Sequence, residues 1–126
     1  MHIRAPAAAT LAALLLAACS GGTSGPPSAR TLILKAPGCH KPFAPSGGVA
    51  VQAQDELECL TPDTEVFVAT FTSTSLERQW IIAQQAGVCE TIQGPKWAVD
   101  LLPTVQDYCG VAAKVAHALG GRVVSS

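Results

Sequence analysis

Four cysteines, Cys39, Cys59, Cys89 and Cys109, constrain this chain more than any other feature. An even number of cysteines in a small exported domain reads as two disulfides, the cross-links used where a limited core cannot stabilise the fold alone. Each contributes about 2–4 kcal/mol by restricting the unfolded chain. That is a large share of a small domain's net stability. A fifth cysteine, Cys19, stands apart. It closes a short apolar run, Leu11 to Ala18, which follows Arg4, and Ser20-Gly21-Gly22 comes directly after it.

A positive start, an apolar core and small residues before a boundary describe an export leader. The apolar run is well short of the roughly 20 residues that span a bilayer. Leu16-Ala17-Ala18-Cys19 resembles the lipobox of bacterial lipoproteins, in which small residues ahead of the cysteine admit a dedicated signal peptidase. The resemblance implies that residues 1–18 are a signal peptide and that Cys19 becomes the first residue of the mature protein. It also implies a diacylglyceryl group on the Cys19 thiol, which anchors the chain at the extracytoplasmic face of the cell membrane. Two acyl chains meet the demand of stable anchoring, which one alone does not. Lipidation takes Cys19 out of the thiol pool and leaves the even set of four.

Residues 19–30 then read as the lipidated cysteine and a flexible tether, because Ser20 to Ala29 is a Gly/Ser/Pro run too polar to fold. Residues 31–126 read as a single α+β domain. The chain has 8 Lys and Arg against 9 Asp and Glu, a formal net charge of −1. Without a basic patch, the sequence argues against nucleic acid as a partner. It contains no Asn and therefore no N-glycosylation sequon.

Along the domain, Arg30 to Leu34 is apolar and is expected to pair as an edge strand. The stretch from Pro37 to Gly48 carries Pro37, Pro42 and Pro45 and reads as an irregular loop. Glu56–Leu60 alternates, Thr61-Pro62-Asp63-Thr64 is a turn, and Glu65–Phe71 is β-branched and aromatic on both faces. These predict a hairpin with a central second strand. Thr74 to Ala86 predicts a helix, with Thr74 and Glu77 as a capping box and Gly87 after its end. Strands follow over Val88–Gln93 and Lys96–Leu102. A second helix is expected to open at Pro103 with Thr104 as its cap and to stop at Gly120-Gly121, ahead of a strand over Arg122–Val124.

From Glu65 onward the order is strand, helix, strand, strand, helix, strand. That is the ferredoxin-like βαββαβ plan, over about 65–124, with two helices on one face of an antiparallel sheet and an N-terminal strand and hairpin extension. In this plan the second strand and the second helix start at the same end of the sheet, where Cys89 and Cys109 lie. Bridging them needs Cα atoms within about 4.4–6.8 Å, which this geometry permits. Cys39–Cys59 is left to clamp the proline-rich loop onto the hairpin, and two other connectivities stay open.

Few residues suggest chemistry. Cys39 and His40 are adjacent, but adjacent side chains rarely reach one tetrahedral ion, and no C-x-x-C or H-x-x-x-H spacing completes a metal set. His117 reads as a solvated helix residue. No G-x-S-x-G elbow and no phosphate-cradling glycine loop is present. The residues imply no metal, no cofactor and no catalytic constellation. Trp80 and Trp97 fall on the apolar faces of their elements and read as core. Acid gathers around the hairpin at Asp55, Glu56, Glu58, Asp63 and Glu65, and Phe43 sits in the proline-rich loop. Phe43, Asp55, Glu56, Glu58 and Asp63 are the candidate partner-binding residues.

The run Ala69-Thr70-Phe71-Thr72-Ser73, then Trp80, then Gly94 with Trp97-Ala98-Val99, resembles small lipoproteins of actinobacteria. That group brings location and fold and no established activity. The sequence therefore points to a membrane-anchored, non-enzymatic interaction module that meets an extracytoplasmic protein. An inhibitor or immunity lipoprotein, and a carrier of a small molecule or metal, are the competing expectations.

Overall fold

The computed structural model describes residues 26–124. The leader, the lipobox and Cys19 lie outside the described residues. The chain folds as α+β: helix α1 (Ala29–Ile33), strands β1 (Asp55–Leu60) and β2 (Thr64–Thr70), helix α2 (Thr74–Gln84), strands β3 (Thr91–Gly94) and β4 (Trp97–Pro103), helix α3 (Tyr108–Leu119) and strand β5 (Arg122–Val124). The five strands form one antiparallel sheet in the order β1-β2-β4-β3-β5.

From β2 onward the element sequence is the expected βαββαβ. The placement of its last strand is different. In the ferredoxin-like plan the final strand pairs with the first; here β5 pairs with β3 at the far edge, and β1 occupies the place beside β2. β2 and β4 run in opposite directions, and both helical crossovers advance toward the same edge. Right-handed crossovers then put the two helices on opposite faces.

The register shows this segregation. Val66, Val68 and Thr70 stand opposite Leu101, Val99 and Trp97. All of these but Thr70 form the main core with Ile92 and Cys59, covered by α1 and by Val111, Ala112, Val115 and Leu119 of α3. The alternate residues Ala69 and Ala98 face the other way and lie with Phe71 under Trp80 of α2. Phe71 and Trp80 meet edge-on, with ring centroids 5.7 Å apart. Both tryptophans are buried, one in each core.

The segment expected as an edge strand is α1. Ser28 caps it, accepting from the Thr31 amide at 3.3 Å. Ala29, Leu32, Ile33 and Ala36 are buried, a helical spacing that lays one side on the sheet. Ala29 and Arg30, read from sequence as the end of the tether, are its first turn. Three helix ends also differ. Ser73 rather than Thr74 starts α2, accepting from the Leu76 amide, and Gln85, two residues ahead of the expected Gly87, ends it in the left-handed conformation. Asp107 rather than Thr104 caps α3, accepting from Gly110. Thr104 is held instead by the β1–β2 turn: its hydroxyl donates to the Pro62 carbonyl and its amide to the Asp63 carbonyl. Gly120 ends α3 at positive φ, as expected.

The disulfides are Cys39–Cys59, with Cα atoms 5.8 Å apart, and Cys89–Cys109, at 5.0 Å. The first holds the loop after α1 against β1. The second ties the loop before β3 to the first turn of α3.

Trp97 rests across the backbone of its cross-strand neighbour Gly94 and against Gly121. A Cβ at either glycine would overlap the indole ring. Gly94→Ala is therefore expected to destabilise the domain by about 1–3 kcal/mol through overpacking, read as a lower urea midpoint. Gly47→Ala, where nothing lies within 4 Å, leaves the midpoint unchanged.

Candidate functional site

The second face of the sheet is covered over only part of its area. The loop holding Ala50 and Ala53 and the buried side of α2 cover the row through Ala69 and Ala98. The rows beyond carry an open mixture of carboxylates and apolar side chains. Phe43, Glu58, Phe67 and Asp100 stand directly opposite one another in successive strands, and so do Leu60, Glu65 and Leu102 in the next row. Directly opposed side chains lie about 4.5–5.5 Å apart, and diagonal ones somewhat farther. The acids Glu58, Glu65 and Asp100 thus zigzag across three strands. Phe67 fills the gap between Glu58 and Asp100, and the exposed Leu60 (62 %) and Leu102 (54 %) flank Glu65.

Phe43 extends this face past the hairpin. Its backbone bridges to Glu58 through two hydrogen bonds of 2.8 Å, which pairs the outer edge of β1 at that one position, and its ring is 43 % exposed. A cleft of about 430 Å³, lined by Gly38, His40, Lys41, Phe43 and Leu60, adjoins it.

The acids expected to act together are divided by the pleat. Glu56 and Glu58 share this face, but Glu56 is engaged, accepting from the Ala50 amide at 2.7 Å. Asp55 stands opposite Thr70 on the other face, and Asp63 sits in the exposed β1–β2 turn. Asp100 joins the site although the sequence reading passed over it. The signal was present: Trp97, Val99 and Leu101 point into the core, so Asp100 and Leu102 must point out.

The electrostatics are those of unneutralised acid. Desolvation raises the Glu58 carboxyl above its ordinary value, and the charges of Glu65 and Glu56 push the same way. Burial lifts Asp100 to about 6, the Glu90 charge adds to this, and the Leu101 backbone opposes it. Such a face offers hydrogen-bond acceptors and apolar contact together, and a cation placed on it relieves the repulsion.

All four cysteines among the described residues are in disulfides. Among the described residues no three His, Cys, Asp or Glu side chains are grouped to hold a metal ion. His40 and His117 are both exposed. No helix among the described residues is long and apolar enough to cross a membrane.

Because Asp100 holds its proton more tightly folded than unfolded, its ionisation costs stability as pH rises from about 4 through about 6. Asp100→Asn is expected to stabilise the domain at pH 7 by on the order of 1–2 kcal/mol, after discounting for solvent screening. The gain disappears at pH 4, as thermal melts at the two pH values will read.

No protein-family model, no curated protein and no solved structure matches this chain.

Proposed function

We propose that the protein is a lipid-anchored extracytoplasmic binding module, without catalytic activity, that docks a basic, amphipathic segment of a partner protein on the open sheet face. The observation that carries this reading is the zigzag of Glu58, Glu65 and Asp100 set among Phe43, Leu60, Phe67 and Leu102. Scattered exposed apolar residues are ordinary, but a contiguous apolar patch threaded with like charges is costly to maintain. A partner carrying Lys or Arg beside aliphatic residues satisfies both features at once. Such complementarity sets association rate and specificity more than raw affinity.

The anchor supports the same reading. A tether ahead of α1 keeps the module near the membrane, and two disulfides suit an oxidising compartment outside the cytoplasm. Partner search then takes place near a surface, where modest affinity suffices.

Two measurements test this proposal. Mass spectrometry of the protein purified from bacterial membranes is expected to find Cys19 as a diacylated N-terminal residue, and Cys19→Ala moves the protein out of the membrane fraction. An unmodified Cys19 removes the anchor. Separately, titration with a Lys/Leu amphipathic peptide is expected to give saturable binding weakened roughly tenfold or more by Glu58→Lys with Glu65→Lys. Asp55→Lys, on the opposite face, leaves it unchanged. Equal losses at Asp55 and at Glu58 with Glu65 would mean that general charge, not this face, accounts for binding.

A further inference from the structure

A second site lies at the other end of the sheet, where α2, the β3–β4 turn and β5 meet. An open cleft of about 480 Å³ is bounded there by Thr74, Glu77, Gln93, Pro95, Gly121 and Arg122. Glu77 is 2 % exposed, in line with Trp80 on the buried side of α2. It was expected as half of a capping box, but its carboxylate reaches across to the sheet. Oε1 accepts from the Lys96 amide at 2.9 Å and steadies the turn in which Lys96 has a φ of +60°. Oε2 has no donor within 3.5 Å at hydrogen-bonding geometry, and the Gln93 side chain approaches the same carboxylate from farther off. A buried carboxylate oxygen left without a donor is costly, and buried polar atoms in folded proteins are nearly always hydrogen-bonded to protein, ligand or water.

An opposite charge shares the cleft. Arg122 is exposed on β5, opposite Gln93 in the register, and donates to the Gln93 Oε1 atom at 3.3 Å. Burial pushes the Glu77 carboxyl above its ordinary value, and the Gln93 side chain, the Lys96 amide and the Arg78 charge oppose that shift. Carboxylate, amide and guanidinium therefore line one wall in that order. A simple cation in this cleft meets Arg122 as a like charge, and a simple anion meets Glu77. A ligand with both charges is attracted at both ends.

We propose that this cleft binds a small zwitterion of the amino-acid class, with its ammonium group donating to Glu77 Oε2 and its carboxylate held by Arg122. The Gln93 side chain turns aside to admit the ammonium and then bonds the ligand. The turn-holding bond at Oε1 is left in place, so binding needs no change in the sheet. The guanidinium fork suits a carboxylate, which it can hold with two parallel bonds.

The full-length protein, purified in detergent with its disulfides intact, is titrated with glycine, L-alanine and L-glutamine, with methylammonium and acetate as the two half-ligands. Amide NMR is expected to show saturable shifts at Lys96, Gly121 and the Gln93 side chain, with at least one amino acid bound tenfold or more tightly than either half. Arg122→Gln, at an exposed position, and Glu77→Gln each weaken that binding at least tenfold. If Glu77→Gln fails to fold because the Lys96 turn is lost, Arg122→Gln alone decides. No saturable shift at millimolar ligand, equal binding of a half-ligand, or unchanged affinity in Arg122→Gln overturns the proposal and leaves a cleft that holds water only.

Discussion

The antiparallel register between β2 and β4 organises everything else in this domain. It puts Val66 opposite Leu101 and Val68 opposite Val99, so one face of the central pair is continuously apolar. The same pairing obliges Glu65, Phe67, Asp100 and Leu102 to share the reverse face. A slip of one residue would exchange the two sets and bury the acids, which a small core cannot accommodate. The register is therefore held by the energetics of both faces at once. The disulfides add to it by fixing what surrounds the sheet, with Cys59 in the core beside Val66 and Cys89 bound to the start of α3.

The two helical crossovers then divide labour between the faces. α3 and α1 cover the apolar face of the central strands, whereas α2 covers only the half of the other face where Ala69 and Ala98 leave room for Trp80. Small residues on the sheet let a large aromatic approach, and where they give way to Phe67 and Asp100 the cover stops. The open acidic region and the cleft around Glu77 are consequences of this partial cover, one at each end of α2. The buried Oε2 of Glu77 belongs to the same economy: a polar side chain tolerated beneath a helix because its other oxygen holds a turn.

Much of the fold was legible because it follows from local rules. The β1–β2 hairpin, the two long helices, the strands on either side of Gly94-Pro95 and the stop at Gly120 all follow from alternation, helical spacing and breakers. The strand expected at Arg30–Leu34 failed because five apolar-rich residues fit either period. The burial of Ala29, Leu32, Ile33 and Ala36 on one side, with Ser28 as cap, decided for a helix. Thr104 and Thr74 were plausible caps, but Asp107 and Ser73 stood at the positions where the chain enters the helix. The acids of the hairpin looked like one group in sequence, yet the period of two sends Asp55 to one face and Glu56 and Glu58 to the other.

The sequence by itself determined the α+β class, the order of elements from β2 to β5 and a compatible disulfide pairing, because these depend on periodicity, turn chemistry and cysteine count. Only the tertiary structure decided where β5 pairs, which faces the helices cover and which charges meet. Those outcomes depend on contacts between residues distant in the chain, such as Glu77 with Lys96 and Phe67 with Asp100. No local pattern encodes them. They arise when opposite-running strands, joined by crossovers of one hand, must close over two cores at once.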